Sequence, residues 1–190
     1  GIYCIIPAAV CLPADEAALA ALLRWAAAGG TPLVLRGAGS AMGGGNVGEG
    51  VLVDLTAQRQ APLALDPSRR TAMAGSSVTL GALDRAAAAH GLRLPPDPSS
   101  GRWATLGGMI STNAAGARSV RYGSVRPWVQ ALDLLTTDGE AVHLARGEPA
   151  PDVLAVARFR RDAEPAIQAA APLIRRRFPR TRKNSSGYAL

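Results

Sequence analysis

Two tracts of the 190-residue sequence have residue types that can hold a ligand through the backbone. The first is Arg36-Gly37-Ala38-Gly39-Ser40-Ala41-Met42-Gly43-Gly44-Gly45-Asn46. Glycines and small residues let backbone N–H groups converge without Cβ interference, and the resulting concave nest suits an anion. Ser40 adds a hydroxyl donor. Several N–H dipoles could meet the charge of a diphosphate here. No Gly-Lys-Ser/Thr closes the tract, so it is not a Walker loop. Gly37-Ala38-Gly39 is followed by more loop and not by a helix with a third glycine, so the dinucleotide fingerprint is absent too. By itself the pattern fits a flexible surface loop equally well.

The second tract is Thr105-Leu106-Gly107-Gly108-Met109-Ile110-Ser111-Thr112-Asn113-Ala114-Ala115-Gly116. It pairs glycines with small hydroxyl side chains and has no ionisable group. A large flat molecule could lie against such a surface, and a tightly packed helix start would read the same way. No general base, no nucleophile with a partner histidine and no metal-ligand set accompanies it. Any redox or transfer chemistry must then come from a cofactor, and no catalytic residue can be named. Cys4 and Cys11 cannot build a four-ligand metal site or a disulfide framework; they read as small buried side chains in a reducing compartment. His90 reads as a helix C-terminus and His143 as a strand surface.

The elements that must position these tracts follow from periodicity and punctuation. Residues 8–12 read as a strand. A helix capped by Asp15 runs to about Ala28 and stops at Gly29-Gly30. Residues 32–35 and 51–55 are the next strands, with the first tract as a loop between them. Leu63–Asp66 and Thr71–Ala74 form a strand pair turning at Pro67-Ser68. A helix spans Leu80 to His90 and closes at Gly91. Prolines 95, 96 and 98 exclude regular structure there. Val129–Leu135 turns through Thr137-Asp138-Gly139-Glu140 into Ala141–Leu144. After a loop at 146–152, a helical stretch from Ala163 to Arg177 is expected to break at Pro172. The fold class is α+β: a small α/β lobe over residues 1–56 and a larger mixed lobe over 57–190.

The charge distribution narrows the function. The net charge is +7, yet residues 1–157 hold 12 basic and 12 acidic side chains. Residues 158–190 hold nine basic and two acidic ones and so carry the whole excess. Nucleic-acid binders spread positive charge over a folded face and supply aromatics for stacking. Here the body is neutral and aromatics are 4% of the residues, so nucleic acid is not an expected partner. No run of ~20 apolar residues encodes a membrane span. The apolar segment 5–12 is interrupted by Pro7, and no basic region precedes it, so it does not read as a signal peptide. The arginines from 158 to 182 do not fall on one helical stripe, which favours a solvated face. Attraction of an anionic substrate, or contact with anionic lipid or an acidic electron-accepting partner, are the other readings.

Taken together, in order and spacing, the motifs resemble a known family. They are Pro32–Ser40; Val78–Leu83 with His90-Gly91-Leu92; Pro95-Pro96-Asp97-Pro98; Thr105–Gly108 with Thr112–Gly116; Arg121-Tyr122-Gly123-Ser124-Val125; and Lys183-Asn184-Ser185-Ser186-Gly187-Tyr188. The chain resembles the PCMH-type FAD-binding domain of the vanillyl-alcohol oxidase and p-cresol methylhydroxylase superfamily. Its branch looks like the FAD-linked D-lactate, glycolate and D-2-hydroxyglutarate dehydrogenases. The resemblance implies that the flavin lies between two lobes. Arg36, Gly37, Ala38, Gly39, Ser40 and Ala41, with Gly43 and Gly44, would hold the FAD pyrophosphate. Pro96, Ser99 and Ser100 would line the ribityl and isoalloxazine path. Thr105, Gly107, Gly108, Ser111 and Thr112 would pack along the cofactor, and Asn113, Ala114 and Gly116 would shape the turn beyond.

The implied activity is oxidation of a small 2-hydroxy acid, with hydride passing to flavin N5 and electrons going on to a quinone, cytochrome or iron–sulfur module. The base would lie on a substrate cap that the chain lacks. The implied placement is cytoplasmic, with peripheral association at the inner membrane as an alternative. Two further readings stay open: a non-catalytic flavin-binding module whose partner carries the chemistry, and an enolpyruvyl-sugar reductase. No histidine lies between residues 1 and 89, so the flavin is expected to be noncovalent. Ala38 and Ala115 stand where relatives often carry glycine, which alanine tolerates if the backbone angles are ordinary. Trp103 is bulky where small residues are common, and would sit against the flavin or cover it. The sequence reads as a fragment that alone binds FAD weakly or not at all. Its Arg-rich end resembles large members with a C-terminal iron–sulfur cluster module.

Overall fold

The computed structural model describes residues 3–57 and 62–181. Strands β1 (Ala9–Cys11), β2 (Leu33–Arg36) and β3 (Val51–Asp54) form a parallel sheet in the order β1-β3-β2. Val51, Leu52 and Val53 are all buried, as a continuous apolar run requires in a central strand covered on both faces. Parallel strands of one sheet cannot be joined by a tight hairpin. Helix α1 (Glu16–Gly29) therefore links β1 to β2, and the first glycine-rich tract is itself the crossover from β2 to β3. The caps of α1 are those expected. Asp15 Oδ1 accepts from Ala18 N at 2.8 Å, and the N–H of Gly30 closes on the Ala26 carbonyl. Between the caps the helix is mostly Ala and Leu, the strongest helix formers.

The rest of the chain is antiparallel and helical. Strands β4 (Leu63–Asp66) and β5 (Thr71–Ala74) form one hairpin, β6 (Ala131–Leu135) and β7 (Ala141–Ala145) another. In the first turn Asp66 Oδ1 accepts from Ser68 Oγ and Arg69 N, which holds its carboxyl below the usual range. Between the hairpins lie α2 (Leu80–Ala88), α3 (Leu106–Ser111) and α4 (Ser119–Tyr122); α5 (Leu154–Asp162) and α6 (Glu164–Arg177) follow. Leu80, Ala104, Met109 and Val125 form a buried cluster, with Leu94, Leu106, Ile110, Ala114 and Val129 packed on it. This core lies directly beneath the second tract.

Several sequence expectations need correction. The third strand stops at Asp54 because its carboxylate accepts from Thr56 N at 2.9 Å and Thr56 Oγ1 at 2.6 Å, turning the chain into a 3₁₀ segment, Leu55–Ala57. The strand expected from Val129 starts at Ala131, after a 3₁₀ turn over Arg126–Trp128. Helix α5 was not anticipated: its N-cap, Val153, offers no side-chain acceptor, so the start carries no sequence signal. Helix α6 runs unbroken through Pro172. Gln168 and Pro172 are both exposed, so water can satisfy the carbonyl that the proline leaves without a donor. Cys4 is exposed and Cys11 half-buried, so neither is the buried small side chain expected. The Lys183–Tyr188 motif lies outside the described residues.

The β6–β7 register places Asp133 opposite His143, with Asp133 Oδ1 2.7 Å from His143 Nδ1. This hydrogen bond raises the histidine pKa. A group whose folded pKa is raised stabilises the fold fully below its unfolded pKa and loses that contribution as pH rises through the folded value. The thermal midpoint of the wild type should therefore exceed that of Asp133→Asn most between the carboxylate range and about pH 6.5. The gap should shrink at higher pH; a gap that widens with pH would contradict this account.

Candidate functional site

The first tract begins at the carboxyl end of β2, the end of parallel strands where ligands commonly bind. Gly37 rests against Thr105 so closely that a Cβ would collide with Thr105 Oγ1. The two tracts, 68 positions apart between these residues, thus meet at one point. Gly39 has φ 68 and lies over the Arg36 side chain, where a Cβ would stand 3.0 Å from Nε and Nη2. Asn46 Nδ2 donates to the Gly39 carbonyl at 2.7 Å and ties the loop across its mouth. Gly44 lies under the Tyr3 ring. Ala38 and Ser40 are exposed, as is Gly43, while Ala41 is half-buried.

Arg36 gives the loop its charge. Its Nε is buried and has no hydrogen-bond partner among the described residues. A buried, unpaired donor on a cation costs free energy unless something anionic answers it. The tract itself contains no carboxylate.

The second tract is held by its neighbour strand segment. Leu80 N donates to the Ala104 carbonyl at 2.9 Å, Leu106 N to Val78 at 2.8 Å and Gly107 N to Ser76 at 2.9 Å. Thr79 and Thr105 face each other in this bridge, and each caps a helix: Thr79 Oγ1 accepts from Ala82 N, and Thr105 Oγ1 from Gly108 N. Thr105 is buried, whereas Ser111, the last residue of α3, and Thr112, its C-cap, are exposed. Their hydroxyls donate to the carbonyls of Gly107 and Gly108, both at 2.9 Å. With the protons engaged in this way, the lone pairs of these two oxygens are what remains to meet a ligand. Asn113 turns the chain with φ 46, and its Oδ1 accepts from Arg126 N at 3.3 Å. Ala114 links back to Met109 and forward to Val125 through backbone hydrogen bonds of 2.8 Å. Neither Ala38 nor Ala115 has a positive φ, so alanine is unstrained at both.

The Pro-rich segment divides. Pro96 is fully buried and offers no surface to a ligand in this structure. Ser99 is exposed and Ser100 half-buried, on a turn whose Ser100 carbonyl accepts from Trp103 N and Ala104 N. Trp103 is 64% exposed and carries the Arg102 guanidinium 5.1 Å from its ring centroid. Asn46, Tyr3 and Ser76 were missed from the sequence. Asn46 could have been found, as the polar residue that ends the glycine run; Tyr3 and Ser76 carry no local signal. Among the described residues no three His, Cys, Asp or Glu side chains converge, and no helix is long and apolar enough to cross a membrane.

A small-residue cradle beside a guanidinium whose buried Nε has no partner among the described residues fits a diphosphate-bearing group. Residues 7–145 match the family model described as FAD binding domain. The chain belongs to this family. The FAD-binding domain is 36% identical to a D-lactate dehydrogenase from Archaeoglobus fulgidus, over 70% of this chain and 30% of the relative. It is 34% identical to a D-2-hydroxyglutarate dehydrogenase from Xanthomonas citri pv. viticola, over 73% of the chain and 29% of the relative. It is 33% identical to the glycolate oxidase subunit GlcD of Bacillus subtilis, over 80% of the chain and 32% of the relative. The chain thus spans about 30% of the length of these curated relatives. Among solved structures it resembles 6-hydroxy-D-nicotine oxidase from Arthrobacter nicotinovorans, with TM-score 0.64 and 20% identity over 73% of the chain and 30% of that structure. Xylooligosaccharide oxidase from Myceliophthora thermophila gives 0.62 and 23% over 75% and 30%. That likeness establishes the fold, the α+β PCMH-type fold that the motifs imply.

Proposed function

We propose that the chain is the flavin-holding part of an oxidoreductase acting on a small 2-hydroxy acid of the D-lactate or glycolate kind. The observation that carries the reading is the meeting of the two tracts at Gly37 and Thr105, beside an Arg36 Nε that has no partner among the described residues. In this reading the backbone N–H groups of residues 37–44 and the Arg36 guanidinium hold the FAD pyrophosphate. Ser40 adds a donor, and attachment is noncovalent. Thr105, Gly107 and Gly108 pack along the cofactor. Ser111 and Thr112, whose hydroxyls donate to the Gly107 and Gly108 carbonyls, would offer lone pairs to the cofactor along the same wall. Asn113, Ala114 and Gly116 hold the turn that ends this wall, and Ser99 and Ser100 flank it. The two walls correspond to lobes over 1–56 and 57–190. When bound, FAD supplies the two-electron acceptor chemistry that none of these side chains has. A quinone, a cytochrome or an iron–sulfur centre would be the electron acceptor of the whole protein. The names of the relatives support the substrate class.

The protein carrying this chain should show a flavin absorbance spectrum that bleaches anaerobically on adding D-lactate, glycolate or D-2-hydroxyglutarate. A colourless protein that FAD cannot reconstitute would overturn the cofactor reading. A yellow protein that none of the three acids bleaches would overturn the substrate class alone.

A further inference from the structure

Three arginines gather where the second tract ends. Arg93 projects from the segment after α2, and Arg118 and Arg121 flank the start of α4 and its last turn. With Ala117, Val120 and Tyr122 they line an open depression of about 390 Å³ on the surface.

The walls are braced. Gly116 packs so tightly on the Asp97 carbonyl that no Cβ would fit, which fixes the α4 approach against the Pro-rich segment. Asp97 accepts from Arg118 N at 3.4 Å and pairs with Arg118 Nε at 3.2 Å. Leu94 N donates to Asp84 Oδ1 at 3.2 Å and anchors the residue next to Arg93. Tyr122 is steadied by Trp128, whose ring meets it edge-on at 6.3 Å and whose Nε1 donates to the Tyr122 carbonyl. The Arg121 guanidinium sits 5.3 Å from the Tyr122 ring centroid, a cation–π contact that restricts its rotamers.

The charges in this depression do not balance. Among the described residues, Asp97 is the one carboxylate that pairs with any of the three arginines, and it engages Arg118 through Nε alone. Among the described residues Arg93 and Arg121 form no ion pair with a carboxylate. Planar guanidinium forks match carboxylate and phosphate oxygens in bidentate geometry.

We propose that Arg93, Arg118 and Arg121, with Tyr122 as an apolar wall, bind a small anion bearing phosphate or carboxylate groups. The proposal does not depend on the identity of the cofactor or of the oxidised substrate.

Titration calorimetry of the chain with inorganic pyrophosphate, and separately with citrate, tests it. Saturable one-site binding is expected with at least one probe, and the tighter probe names the source of the anion. Arg93→Gln and Arg121→Gln should each weaken that binding about tenfold, as expected for loss of one charge-assisted contact. Arg93→Lys, which keeps the charge but loses the fork, should fall between. Both arginines are exposed, so the variants should melt with the wild type. Affinity that survives in both glutamine variants would place the anion elsewhere, for instance at the glycine loop, and overturn the proposal. So would the absence of saturable heat with either probe.

Discussion

Gly37→Ala is expected to destabilise the fold by about 1–3 kcal/mol, the usual cost of overpacking a filled site. It should also weaken FAD binding about tenfold or more, as expected from losing one hydrogen bond to a charged group. The added methyl would collide with Thr105 Oγ1. That hydroxyl cannot simply swing away, because Thr105 is buried and its Oγ1 caps α3 by accepting from Gly108 N. Either the cap breaks or the loop lifts, and a lifted loop displaces the N–H groups proposed to face the pyrophosphate. Gly45→Ala is the control. Nothing lies within 4 Å of its added Cβ and its φ is not positive, so it should stay within about 0.5 kcal/mol of wild type. Thermal melts and FAD titration of both variants would check this. A Gly37→Ala protein that melts and binds like Gly45→Ala would refute the contact between the tracts.

Leu80→Ala should cost about 2–5 kcal/mol, since it removes a large side chain from a packed interior and leaves a cavity. Small domains hold only about 5–15 kcal/mol in total, so this is a large fraction. Leu80 is 2% exposed and sits in the cluster with Ala104, Met109 and Val125. Met109 belongs to α3 and Ala104 directly precedes Thr105, so the same packing seats the second tract. Urea unfolding of Leu80→Ala and of Leu173→Ala, which is 53% exposed on α6, gives the comparison. Leu173→Ala should lose little. A Leu80→Ala loss below about 1 kcal/mol would mean that this core does not hold the tract in place.

Much of this was legible because the signals are local. Asp15, Gly30 and Gly91 punctuate helices through hydrogen bonds and backbone angles that involve near neighbours only. The glycine-rich composition of both tracts marks close approach, whatever approaches. What failed to read out was non-local. Whether Pro172 breaks a helix depends on whether its i−4 carbonyl meets solvent, which only the exposed position of α6 decides. Helix α5 has no cap to announce it. Ser111 and Thr112 could be read as hydroxyls, but the direction of their protons depended on α3 forming beneath them.

By itself, the sequence determined the family, the strand–helix–strand start and the loop that could face an anion. These rest on residue type and short spacing, which the chain carries without folding. The tertiary structure alone decided that Gly37 meets Thr105, that Arg36 Nε has no partner among the described residues, that Pro96 is interior, and that Arg93 joins Arg118 and Arg121 around one depression. Each of these couples residues far apart in the chain. Such couplings are set by which faces the core buries together, a property of packing that no local pattern contains.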